Sequence, residues 1–298
     1  MESKLQIGQT IIEDTFAEAF DMTYSRLIVT ASDDYWLESA TKEFCGSAAS
    51  VIGCDAEIAV EKRLVPDQTP DGRVGASVLV FGFGSVSVGK SLTTRVGQCL
   101  MTCPTTAVYD GLSDGKKQVA LGKHLRYFGD TFQKSKMLDG RRYWRIPVMD
   151  GEFIVEDKVY VADGIGGGNF IIQADSQAHG LAAARRAAES IESCENVISP
   201  FGGGVVRSGS KVGSRYKGLV ASTADAYCPT LRGRVDSQLR DGVNCVYEIV
   251  IDGTDFESIA SATRSGIQAA AGDGIVAISA GNYGGKLGKH HFHLKDLL

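Results

Sequence analysis

The chain has 298 residues, 43% hydrophobic, 22% charged and 8% aromatic, which are the proportions of a globular protein rather than a disordered or fibrous one. Its formal net charge of -5 provides no whole-chain basic field to hold nucleic acid or an anionic membrane, although individual Lys and Arg side chains can still meet an anionic substrate. At this length the chain can form one large domain or two smaller ones with separate cores.

The residues after Met1 reach Glu13, Asp14 and Glu18 without an apolar segment of signal-peptide type, and no apolar run is long enough to span a bilayer. The expected location is the cytoplasm. The seven cysteines, Cys45, Cys54, Cys99, Cys103, Cys194, Cys228 and Cys245, read as free buried thiols. Cys99 and Cys103 lack a second pair, and His290, His291 and His293 lack an accompanying Cys or carboxylate motif, so no metal site is expected.

In chain order, Tyr24 to Thr30 predicts a strand, followed by an Asp33-capped helix through Phe44 that ends at Gly46. Ala49 to Cys54 and Val74 to Phe83 predict further strands, with the polar turn Pro66 to Arg73 between them. A helix is expected from Val88 to Met101 and a strand from Gly122 to Phe128. Arg141 to Glu156 alternates as a hairpin. The order then repeats: strand Asn169 to Ala174, helix Ser176 to Cys194 with Leu181, Ala184, Ala188 and Ile191 inward, strands at Asn196 to Ile198 and Val205-Val206, and strand Cys245 to Ile251. A helix from Asp255 capped by Gly272, carrying Phe256, Ile259, Thr263, Ile267 and Ala270 inward, and the strand Gly274 to Ala280 complete it. Two βαββαβ units predict an α+β fold of two tandem ferredoxin-like lobes, residues 1–147 and 148–298.

The strand Cys245 to Ile251 carries Glu248 among apolar residues on both faces. That carboxylate lies on a solvated patch, pairs with a cation, or is desolvated with a raised pKa, the condition that makes a carboxylic acid useful near neutral pH. Glycine-rich segments at 164–168, 202–204, 209–213 and 281–288 fall at strand ends and can bring backbone N–H groups to a ligand. Gly84-Ser85-Val86-Ser87-Val88-Gly89-Lys90-Ser91 matches the phosphate-loop pattern and follows a strand, which makes a nucleotide hydrolase one alternative, but the split βαβ order around it is not that of a parallel nucleotide-binding sheet. A non-catalytic ligand-binding subunit is another alternative.

Thr15 to Phe20, Thr69 to Arg73, Arg95 to Cys99, Gly151 to Glu156, Gly167 to Phe170, Ser210 to Gly213, Cys245 to Asp252 and Ser279 to Gly288 are colinear segments that together resemble the formylmethanofuran:tetrahydromethanopterin formyltransferase family over nearly the whole chain. The resemblance implies reversible formyl transfer from methanofuran to N5 of a tetrahydropterin in a ternary complex, with the two coenzymes as substrates and no permanently bound cofactor. It implies a homo-oligomer, a dimer or tetramer, and Glu248 as the acid/base group. Arg73, Asn169, Phe170, Ser210, Lys211, Asn282, Tyr283 and Lys286 are the candidate substrate contacts, with Asn169 and the Asn282 to Lys286 loop expected near the reacting oxygen. The Gly84 to Ser91 segment and the modest net charge depart from the family pattern. The charge points toward methylotrophic bacterial relatives, in which such a chain is similar to one subunit of a formyltransferase/hydrolase complex.

Overall fold

A computed structural model describes residues 5–115 and 117–298 as a mixed α/β fold with helices packed on mixed sheets. Its residues divide into two compact units, one of residues 22–164 and one of residues 1–21 with 165–298. Packing therefore groups the chain differently from a cut at 147/148, because Arg141–Val148 and Gly151–Glu156 pair with each other, and the latter pairs with Ala107–Asp110.

In the unit 22–164, strand β1 (Phe16–Thr30, from residue 22 onward) leads to α1 (Asp34–Cys45), β2 (Glu57–Leu64), β3 (Gly75–Gly82), α2 (Ser85–Arg95) and β4 (Ala107–Asp110). The sheet runs β2, β3, β1, β4 with antiparallel neighbours. It continues through β5 (Arg141–Val148) and β6 (Gly151–Glu156), the latter parallel to β4. Asp33 caps α1 as the sequence implies, its carboxylate accepting the Trp36 N–H at 3.1 Å. Leu27, Val29, Val78 and Val80 alternate toward Leu37, Phe44, Val88 and Leu92, so both helices cover one face of the sheet.

Two strand expectations fail here. Ala49 to Cys54 is mostly turn, and the strand is Glu57–Leu64. Gly122 to Phe128 forms a helical turn, Gly122–Leu125, and then a 3₁₀ turn, because Leu121 and Leu125, four apart, both face the core. The fourth strand is Ala107–Asp110, four buried residues with little polar alternation to reveal them. The expected helix at 88–101 starts earlier, at Ser85, and its last turn, Val96–Leu100, is π-helical.

This also removes the phosphate loop. Ser85 to Ser91 is already α-helix, so no loop wraps an anion; Ser91 Oγ donates to Asp55 at 2.6 Å, and the preceding strand β3 has antiparallel neighbours on both sides.

In the other unit, β7 (Lys158–Ala174, from residue 165 onward) leads to α3 (Gln177–Glu192), β8 (Val197–Ile198), β9 (Cys245–Gly253), α4 (Phe256–Ala270) and β10 (Ile275–Ser279). The sheet order is β8, β9, β7, β10, again antiparallel, with Thr10–Ile12 parallel to β10 at its edge. Ser176 and Asp255 cap the two helices through side-chain oxygens. Leu181 is half exposed and outside the core, while Gly180, Ala183, Ala184, Ala187 and Ile191 face it. Phe256 is also partly exposed and stacks on Phe292 at 4.2 Å. A Cβ at Gly266 would come within 2.9 Å of the Phe170 ring and 3.0 Å of Ile191, so glycine is what lets α4 pack this closely. Val206 does not extend the sheet; it makes a single bridge to Glu248.

Candidate active site

Along β9 the side chains of Tyr247, Ile249 and Ile251 enter the helix-covered core, and the period of two turns Val246, Glu248 and Val250 to the opposite face. The registers on β7 and β10 put Asn169, Ile171, Gln173, Ala277 and Ser279 on that same face. Glu248, Ile171 and Ser279 form one row across three strands, since Ile171 is the Cα partner of both others.

Backbone hydrogen bonds with Val206, 2.8 and 3.1 Å, fix Glu248 from its other side. Gly209 approaches its carboxylate: a Cβ there would lie 3.6 Å from Oε2, and the residue has φ of +41°. Among the described residues no hydrogen bond or ion pair reaches the Glu248 carboxylate. It is half-buried, and desolvation pushes its pKa up to about 7. Of the three readings open from sequence, pairing with a cation is absent among the described residues.

Two phenols share this environment. Tyr227, on a 3₁₀ turn (Asp225–Tyr227), brings its hydroxyl to 3.5 Å from Ser279 Oγ. Burial holds its pKa above the usual value, against the hydrogen bond with Ser279, and the charges of Glu13 and Glu248 add to the shift. Burial, and then the charges of Glu248 and Glu18, do the same for Tyr283. Both therefore stay protonated at neutral pH.

The loop carrying Tyr283 is organised by Glu18, which sequence reasoning missed. This carboxylate is 1% exposed and accepts four backbone N–H groups: Tyr283 at 2.7 Å and Gly285 at 2.9 Å on Oε2, Leu287 and Gly288 at 2.6 Å each on Oε1. Burial alone would raise its pKa, but the four N–H dipoles outweigh that and hold it below the usual range. Gly284 and Gly285, at φ of +71° and +70°, supply the left-handed turns that bring the N–H groups round.

The expected contact residues divide. Asn169 is committed to the loop, its amide donating to Gly167 and Gly281 carbonyls at 3.2 and 3.1 Å while its oxygen accepts the Gly281 N–H at 2.6 Å. Asn282 likewise donates to Thr15 Oγ1 and the Phe16 carbonyl. Both are anchors with their amide hydrogens used. Phe170 cannot meet a substrate, because the alternation of β7 sends its ring into the core at 0% exposure. Ser210 and Lys211 are exposed on the hairpin formed by Ser210–Val212 and Ala221–Thr223, where Lys211 pairs with Asp225 of the Tyr227 turn. Lys286 is exposed within the Glu18-bound loop. Arg73 belongs to the other unit, where its guanidinium is bonded to Asp71, Thr30 Oγ1 and the Thr105 carbonyl. Among the described residues no cluster of three or more His, Cys, Asp or Glu side chains could hold a metal ion.

A family model described as formylmethanofuran-tetrahydromethanopterin formyltransferase matches residues 5–148, and one described as the FTR proximal lobe matches residues 151–297. The formylmethanofuran–tetrahydromethanopterin formyltransferase of Methylobacillus flagellatus is 50% identical over 98% of this chain and 99% of its own length. The chain belongs to the formylmethanofuran–tetrahydromethanopterin formyltransferase family.

Solved structures of this formyltransferase family superpose along almost the entire chain. One is the formyltransferase/hydrolase complex of Methylorubrum extorquens with methylofuran, at TM-score 0.96 and 48% identity over 99% of both chains. Another is the formyltransferase of Methanosarcina barkeri, at TM-score 0.93 and 42% identity over 99% of this chain and 100% of that one. As a formyltransferase the chain carries out acyl transfer, and the nucleotide-hydrolase alternative is set aside together with its loop. No helix among the described residues is long and apolar enough to cross a membrane.

Proposed function

We propose that this formyltransferase moves a formyl group reversibly between formylmethanofuran and N5 of tetrahydromethanopterin in a ternary complex, with Glu248 as the acid/base group and no covalent intermediate. The observation that carries the mechanism is the half-buried Glu248 carboxylate, without a protein partner among the described residues and raised to about 7. A formamide is a weak acyl donor: the attacking amine must lose a proton and the leaving amine must gain one. A carboxyl group with a pKa near the working pH can take the first proton and return it to the second nitrogen. Both coenzymes act as substrates, and the reaction calls for no resident cofactor.

We read the two units as ferredoxin-like repeats. The support is that each has the order βαββαβ, with its two helices on one face of a sheet whose third strand lies between the second and the first. We further propose a cytoplasmic protein that assembles as a homo-oligomer or as one subunit of a formyltransferase/hydrolase complex; support for the complex is the Methylorubrum extorquens relative that is a subunit of one. Formyl transfer by the purified chain alone would separate an enzyme from a non-catalytic binding subunit. Glu248→Gln is expected to fold and bind both coenzymes while turnover falls at least ~10²-fold. Near-normal turnover would remove Glu248 from the reaction.

A further inference from the structure

The acid/base role leaves one requirement of formyl transfer unmet: a hydrogen-bond donor for the oxygen that becomes negative in the tetrahedral adduct. The donors that the sequence pointed to are occupied. The amide groups of Asn169 and Asn282 hold the 281–288 loop in place. The N–H groups of Tyr283, Gly285, Leu287 and Gly288 are bound by Glu18, and that of Gly284 by Asn282 Oδ1. The glycine loop is therefore a folded wall whose N–H groups are largely turned inward.

The row Glu248, Ile171, Ser279 shows where a donor can act. Adjacent strands lie ~4.8 Å apart, so the outer two Cα atoms are separated by about 10 Å, with an apolar side chain between them. The carboxylate of Glu248 and the hydroxyl pair of Ser279 and Tyr227 stand at the two ends of this row, on either side of the buried Ile171. The Tyr227 hydroxyl has a single long contact, 3.5 Å, with Ser279 Oγ, so its donor capacity is not spent on the protein. Its turn is tied to Gly209, which approaches the Glu248 carboxylate: the Ala224 N–H donates to the carbonyl of Gly209 at 3.1 Å, the Gln238 N–H donates to that of Ala226 at 2.9 Å, and Lys211 pairs with Asp225.

We propose that the Tyr227 hydroxyl, braced by Ser279, donates a hydrogen bond to the formyl oxygen as the tetrahedral adduct forms, making Tyr227 a catalytic residue and Ser279 a positioning residue. This rests on the formyl-transfer reading. The N5 lone pair forms the new C–N bond, the C=O π pair moves onto oxygen, and the N5 proton passes to Glu248. The phenol keeps its proton and hydrogen-bonds the oxyanion. Glu248 then protonates the donor's nitrogen, the oxygen pair re-forms C=O, and the old C–N bond breaks. No oxidant, reductant or further reactant is required.

The test is steady-state formyl transfer by the full chain. Tyr227→Phe should lower kcat ~10²-fold, the loss typical of one oxyanion donor, with KM for each coenzyme within about threefold of wild type and unchanged circular dichroism. Ser279→Ala should lower kcat about three- to tenfold, and this loss should vanish in the Tyr227→Phe background because the hydroxyl it braces is gone. Turnover of Tyr227→Phe within about threefold of wild type would overturn the proposal, as would a ~10²-fold loss in Tyr283→Phe in its place. If Tyr227→Phe does not fold, an undiminished kcat in Ser279→Ala overturns it. Failure of the underlying reading would look different: Glu248→Gln would itself be active.

Discussion

Replacing Glu248 by Gln should stabilise the protein in a pH-dependent way, and the dependence is a direct measure of the desolvation that makes the residue useful. The carboxyl rises from 4.5 to about 7 on folding because protein replaces water around it with no compensating partner among the described residues. At 1.36 kcal/mol per pH unit this corresponds to about 3 kcal/mol of folding free energy forfeited once the group is ionised. Because the folded-state pKa lies above the unfolded one, the native state is favoured by the protonated acid. Its contribution is fully present below about pH 4.5 and is lost as pH rises through about 7. Glutamine keeps the shape of the acid and never ionises. Urea unfolding of wild type and Glu248→Gln at matched protein concentration should give nearly equal stabilities near pH 4.5, with the variant ahead by up to ~3 kcal/mol near pH 9. A difference that stays flat across this range would mean that the carboxyl titrates normally, and the physical basis for its acid/base role would fall with it.

Glu18→Gln places an NH₂ group where two loop N–H groups converge, and at ~1–3 kcal/mol per donor left unpaired the protein should lose about 2–6 kcal/mol, read as a lower denaturation midpoint. An unchanged midpoint would show that the loop does not depend on the carboxylate. Phe170→Ala should cost ~3–5 kcal/mol in the same measurement, because the ring fills the core against Gly266; a variant of wild-type stability with a raised KM would return Phe170 to the substrate site.

The parts of the fold that were legible are those in which one local rule acts alone. Asp33 announces a helix start because a short side-chain oxygen capping an N-terminus needs nothing from the rest of the chain. Glu248 was legible because period-two alternation exposes a charge in an apolar strand. Ala107–Asp110 was not, since a strand buried on both faces loses that alternation, and its last residue is an aspartate whose carboxylate is used by the backbone N–H groups of Leu112 and Tyr160. The candidate contacts failed for a related reason. Residue type identified Asn169 and Asn282 as polar groups near glycine loops, but which partner uses an amide depends on contacts more than 100 positions away in sequence, to Gly281 for one and Phe16 for the other. Glu18 carried no signal, because its four partners are backbone groups that any sequence possesses.

The two carboxylates of this unit show how one environment can separate the roles of chemically identical groups. Glu18 is buried, yet four N–H donors keep it charged; it stabilises the loop above the unfolded carboxyl pKa and loses that hold only as pH falls through its depressed value. Glu248 has no donor among the described residues, so desolvation acts unopposed and moves it in the opposite direction. Hydrogen bonds to the charged form separate the two groups. A hydrogen-bond donor placed permanently on Glu248 would lower its pKa and make it a second Glu18, more stable and less able to exchange a proton at neutral pH. The unpartnered state of Glu248 is therefore a requirement of the proposed chemistry, and the stability it costs is the quantity that the pH-dependent unfolding experiment reads.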